Sequence, residues 1–164
     1  MQRVDYRDIK IESPYDIINL QTLTITAEPN QHLKLSYKAI IPEEKKDEYV
    51  PNSQYTDQIK VEQYKDGSLV RTLFSGQLSS IQVKAHDDIH YLIIEALSYT
   101  YDMDLAFERR SYQDESMTYD AMIQSVIKDY NDPDFIQTVA KGEPIDIFTL
   151  EYDETDWEFL KRMA

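Results

Sequence analysis

His86 and His90 bracket Asp87-Asp88 and form the one His-x-x-x-His spacing in the chain. That spacing binds zinc when both rings stand on one face of a helix. Here the flanks, Gly76 to Ala85 and Tyr91 to Tyr101, read as strands. The segment between them reads as a polar hairpin turn, and rings on such a turn do not converge. His32 stands alone at a turn and is expected in solvent. There is no cysteine, which removes a thiolate zinc site, a cysteine nucleophile and a disulfide framework. No metal site is expected.

Carboxylates are the other source of chemistry, with 31 Asp and Glu residues, so some must lie close together. Asp102/Asp104 and Asp153/Asp156 are candidates for a glycosidase-type pair. Such a pair needs a cleft and pKa values driven apart. Helix capping already accounts for the acids from Asp153 to Glu158. The three glycines, at 67, 76 and 142, are too scattered for a phosphate-binding loop. No G-x-S-x-G, P-loop or G-x-G-x-x-G is present. Arg109-Arg110 is the one Arg pair, and its acidic flanks Glu108 and Asp114 point to an internal salt bridge. A lone Trp on an amphipathic helix, Trp157, reads as core. The sequence thus gives no catalytic residue and no cofactor site, and the expectation is a protein that is not an enzyme.

Charge narrows the partners. Lys and Arg total 17 against those 31 acids, a formal net charge of −14. Nucleic acid and anionic membrane both attract basic patches, so neither is an expected partner. No apolar run is long enough for a membrane helix, and the N-terminus lacks the apolar core of a signal peptide. The absence of Cys fits a reducing compartment. Thirteen tyrosines favour strands and interfaces.

The positioning elements follow from periodicity. Ile17 to Glu28 and Leu33 to Ile40 alternate apolar and polar around Pro29-Asn30, which predicts an antiparallel pair. Residues 42–52 are a polar loop with a helical turn at Glu43 to Glu48. Asp57 to Tyr64 and Leu69 to Phe74 flank Asp66-Gly67, the chemistry of a tight hairpin. Another strand is expected at Gly76 to Ala85. Tyr91 to Tyr101 is the most apolar strand and is expected to lie centrally. Thr118 is expected to N-cap a helix over 118–130, with Met117 and Met122 as its hydrophobic staple. Strands near Phe135 to Ala140 and Ile145 to Tyr152 come next. A last helix, 155–163, has Thr155 as N-cap and Glu158 at the capping-box position. Its expected buried stripe is Trp157, Leu160 and Ala164. No residue closes that helix, so the chain reads as part of a longer protein.

Two blocks carry a family resemblance. "YDETDWEFLKRMA", with Thr155, Asp156, Trp157, Glu158, Phe159 and Leu160, is similar to a signature of the hub proteins of contractile injection systems. These are the VgrG and phage late-control D proteins of type VI secretion spikes and contractile phage baseplates. "RRSYQDESMTYDAMIQSVIKDY", with Arg110, Tyr112, Gln113, Ser116 and Thr118, resembles the family segment just upstream. The resemblance implies a tube-like domain followed by a second domain, in a structural subunit that forms a homotrimeric ring. The tail tube protein and spike or baseplate proteins would be its partners. It would assemble in the bacterial cytoplasm and end in the baseplate of a virion or injection apparatus.

The expected fold class is α+β, mainly β. An antiparallel β-barrel or sandwich is expected over residues 1–102, then the start of a mixed α+β domain over 103–164. Two other readings stand beside the hub. One is a cell-wall hydrolase. The other is a carbohydrate- or partner-binding β module without catalysis, which would show a pocket lined by several tyrosines.

Overall fold

The computed structural model describes residues 8–130 and 142–163. The chain is α+β and mainly β, and it divides into two compact units, Met1–Ser98 and Tyr99–Ala164. In the first, β1 (Ile9–Glu12), β2 (Asn19–Thr26), β3 (Lys34–Ile40), β4 (Gln58–Lys65), β5 (Ser68–His86) and β6 (Ile89–Ser98) form one sheet. Every pairing is antiparallel, the spatial order is β1-β4-β5-β6-β3-β2, and the sheet curls into a half-barrel. The apolar β6 lies centrally, between β5 and β3.

Strict alternation puts one face of each central strand inside. Leu35, Tyr37 and Ala39 of β3 meet Leu92, Ile94 and Ala96 of β6 and Ile59, Val61, Phe74 and Leu78 of β4 and β5. Tyr15 and Tyr49 close this core with rings edge-on at 5.3 Å. The Tyr15 hydroxyl donates to Asp57 at 2.5 Å. The turn joining β4 to β5 has positive φ at both Asp66 (51°) and Gly67 (78°). The β5–β6 turn does the same with Asp87 (49°) and Asp88 (60°). Both give the twist a tight hairpin requires. The helical turn in the polar loop spans Glu43–Lys45, and a short helix α1 (Tyr49–Asn52) follows it.

Several elements differ from the sequence reading. The segments expected as Leu69 to Phe74 and Gly76 to Ala85 are one 19-residue strand, β5. Gly76 does not break it, because Gly76 pairs with Ile59 on one side and Ser98 on the other. A Cβ at this position would lie 2.1 Å from the Leu97 carbonyl oxygen. Gly76→Ala should therefore force the β5–β6 ladder apart and cost about 1–3 kcal/mol, read from a denaturant melt. An unchanged midpoint would mean the ladder yields freely.

β6 stops at Ser98 rather than Tyr101, since its neighbour β3 starts only at Lys34. A 3-10 turn, Tyr99–Asp104, takes over. His32 is half-buried rather than open to solvent.

The second unit holds β7 (Phe107–Tyr112), α2 (Tyr119–Ile127), β8 (Thr149–Thr155) and α3 (Asp156–Met163). β7 and β8 form a two-stranded antiparallel ribbon. β7 was not anticipated, because Glu108-Arg109-Arg110 reads as a polar segment. β8 starts later than the expected Ile145. Pro144 and Ile145 instead meet the loop before α2, with Ile145 N–H donating to Met117 O at 2.9 Å. The strand expected at Phe135 to Ala140 lies outside the described residues.

Candidate functional site

The side chains singled out in the sequence gather on the β7–β8 ribbon and the two helices against it. Thr118 caps α2, accepting from Ala121 N–H at 3.2 Å. Thr155 forms a reciprocal capping box with Glu158. Thr155 Oγ1 accepts from Glu158 N–H at 3.1 Å, and Glu158 Oε2 accepts from Thr155 N–H at 3.2 Å. The same hydroxyl donates to Asp104 at 2.5 Å, tying α3 to the turn before β7. Thr155→Ala loses both bonds and should cost about 0.5–2 kcal/mol, with Thr155→Ser recovering most of it. Equal midpoints for the Ala variant and the parent would show the box carries no stability.

Tyr112 stacks on Phe159 at 5.6 Å and 11°. The pair joins Met122, Val126 and Ile145 in the core of this unit. Gln113 is exposed, and Ser116 turns back on Asp114, with its hydroxyl donating at 2.5 Å. The buried stripe of α3 is not set by Trp157 and Leu160, and Ala164, the third residue of the expected stripe, lies outside the described residues. Asp156 and Phe159 are fully buried, while Trp157 and Leu160 are only partly so. The helix is rotated from the expected face because an acid, Asp156, points inward.

Asp156 is inside because Arg110 is there. Arg110 from β7 bonds Asp156 through Nη1 and through Nη2 (3.2 Å), and reaches Glu151 of β8 through Nη1 at 2.8 Å. Tyr130 donates to Asp156 at 2.5 Å. Glu108 lies 3.7 Å from the same guanidinium. An internal salt bridge was expected, but with Glu108 and Asp114 as flanks; the main partners are Glu151 and Asp156, and Asp114 takes no part. Arg109, on the opposite face, pairs with Asp153 at 2.7 Å.

Two carboxylates on one guanidinium leave a buried surplus of negative charge. Glu151 and Asp156 both have no exposed surface. Burial, then the neighbouring Asp156, pushes Glu151 up to about 7. Burial opposes ionisation of Asp156 too, but the bonds from Arg110 and Tyr130 outweigh it and hold its pKa below the usual value. Glu151 Oε1 is buried with no hydrogen-bond partner among the described residues.

The sequence gives Glu151 no role and places Tyr130 only in the apolar stripe of the helix over 118–130, not as a donor to an acid. The available signal was the alternation Phe148, Leu150, Tyr152 against Thr149, Glu151. That pattern defines two faces without saying which one is inward.

Three of the four acids in the candidate carboxylate pairs have structural roles. Asp104 is engaged by Thr155, Asp153 by Arg109, and Asp156 lies in the interior. The close pair, Glu151 and Asp156, is sealed from solvent. His86 and His90 sit at the end of the β5–β6 hairpin, and no group of three metal-ligating side chains exists among the described residues. In the first unit a shallow groove of about 460 Å³ crosses the outer sheet face, lined by Thr24, Thr26, Lys34, Ser36, Glu95 and Leu97. It contains no tyrosine. Acids crowd the turns, at Glu43-Glu44, Asp47-Glu48 and Asp87-Asp88, rather than this face.

No known family profile matches the sequence, and no curated protein matches it. A solved structure does resemble it: a component of the type VI secretion system of E. coli, described as structurally similar to the T4 bacteriophage tail proteins gp27 and gp5. The TM-score is 0.58 at 13% identity, over 94% of this chain and 41% of that one. The chain thus spans less than half the length of that relative. No helix among the described residues is long and apolar enough to cross a membrane. At this identity the likeness is one of fold: a curled antiparallel sheet followed by a small α+β unit, as found in a type VI secretion component that itself resembles phage tail proteins.

Proposed function

We propose that this chain is a structural hub subunit of a contractile phage tail or type VI-like injection apparatus. In this reading it joins the tail tube to the spike as part of a homotrimeric ring, in the manner of VgrG and late-control D proteins. The observation that carries the reading is the fold likeness across 94% of the chain. The two sequence blocks support it, because their residues build one connected substructure: Arg110 binds Asp156, Tyr112 stacks on Phe159, and Thr155 caps α3. The partners are further copies of the chain, the tail tube protein and spike or baseplate proteins. Assembly takes place in the bacterial cytoplasm, and the product sits in the baseplate.

The role is non-catalytic and uses no cofactor. Asp104, Asp153 and Asp156 are each engaged in a structural bond. The alternative, a carbohydrate- or partner-binding β module, calls for tyrosines around a pocket, and no tyrosine lines the groove on the first unit. The net charge of −14 disfavours duplex DNA.

The test is localisation. In particles from cells producing a tagged chain, the tag should lie where tube meets spike. Its absence from purified particles would remove the hub reading. A gel-shift titration should show no duplex DNA binding at moderate salt, and a peptidoglycan turbidity assay should show no clearing. A positive result in either assay counts against the reading as stated.

A further inference from the structure

β8 is amphipathic the wrong way round for a chain that stands alone. Its inward residues are polar: Thr149 is 4% exposed and Glu151 0%. Its outward residues are apolar. Leu150 is 44% exposed and Tyr152 60%, and Phe148, just before the strand, 55%. A half-buried strand normally keeps its apolar side in and its polar side out. Here a carboxylate is buried on Arg110 while Leu and Tyr face outward.

Ile147 (64%) and Phe107 of β7 (72%) add to the exposed apolar surface of the ribbon. Together these five side chains leave on the order of 500 Å² of mostly apolar surface open. That is at the upper end of what a monomer carries. It is more than half of what one side of a standard interface supplies.

Charges beside this face are paired. Arg109 lies over the Tyr152 ring at 5.1 Å and is paired with Asp153, while Arg162 is paired with Glu154 and donates to Leu150 O at 2.7 Å. Two chains that each carry −14 repel through most of their surface. On this face, paired charges and open apolar side chains favour an approach.

We propose that the outward face of the β7–β8 ribbon, centred on Leu150 and Tyr152, is a contact between copies of this chain. The identity of the partner as a second copy rests on the hub reading; the inverted strand does not. The contact is apolar and the residual charge repulsive, so association should strengthen as salt screens that repulsion.

Sedimentation of the purified chain over a concentration series, at low and high salt, tests this. The parent should associate, more tightly at high salt. Leu150→Asp and Tyr152→Asp should each weaken association about tenfold or more while keeping the parent's circular dichroism and melting. Leu69→Asp, at an exposed site of the other unit, should associate like the parent. If the ribbon variants associate as the parent does, the contact lies elsewhere, and the hub reading still stands or falls on particle labelling. A parent that stays monomeric at every concentration and salt overturns the contact. So does a ribbon that binds only the tail tube protein.

Discussion

Arg110→Met should destabilise the second unit by about 3–5 kcal/mol, the cost of leaving buried carboxylate charge without its partner. The guanidinium holds Asp156 with two nitrogens and Glu151 with one, and both acids are sealed from solvent. Methionine fills much of the volume, so the loss measures charge rather than a cavity. Arg110→Lys should recover only part of it, because one ammonium cannot fork across two carboxylates. The chain has a single tryptophan, Trp157, in α3 next to Asp156. Its fluorescence in a denaturant titration therefore reports on this unit alone. A Met variant that melts with the parent would mean that Asp156 takes up a proton at no cost, and the charge argument would fail.

The second large effect is a pH dependence of unusual sign. Glu151 titrates at about 7 in the folded chain against an ordinary 4.5. Between those values the folded state holds a proton that the unfolded state has released. The native state binds more protons there, so stability falls as pH rises through the window and levels off above it. The full span is about 3 kcal/mol. The groups acting on Glu151 are Arg110 and Tyr112 from β7 and Asp156 and Arg162 from α3. Asp156 works in the other direction, but only at acid pH, where its lowered pKa makes stability fall as pH falls. Glu151→Gln cannot ionise, so it should flatten the decline and be more stable than the parent at pH values above the window. The measurement is the Trp157 unfolding midpoint of both proteins across the window. If the parent's midpoint does not change, Glu151 is ionised throughout and this account of the cluster is wrong.

These two effects turn on residues whose chemistry the sequence left unreadable. What the sequence determined by itself was local. Alternation in Leu33 to Ile40 and the apolar run Tyr91 to Leu97 predict strands, and Asp66-Gly67 predicts the tight turn between Asp57–Tyr64 and Leu69–Phe74. Thr118 and Thr155 mark helix starts through bonds made within four residues. Each such signal depends only on neighbours along the chain, so no knowledge of the fold is needed to read it. The mainly β, α+β class follows from them.

The tertiary structure decided the rest. Gly76 reads as a break, and only the Leu97 carbonyl pressed against it shows why the strand runs through. Glu108 to Arg110 carry no strand signal of their own; β8 supplies the ladder, and Glu151 and Asp156 supply the buried acids. Asp156 reads as a first-turn acid suited to the helix dipole. The structure turns it inward because an arginine 46 residues earlier reaches it. The same inversion rotates α3, leaves Trp157 half-exposed, and sets Leu150 and Tyr152 facing out. Periodicity gives the spacing of a strand's two faces. Which face is buried depends on what lies across the interior, and here that is Arg110, a charge distant in sequence.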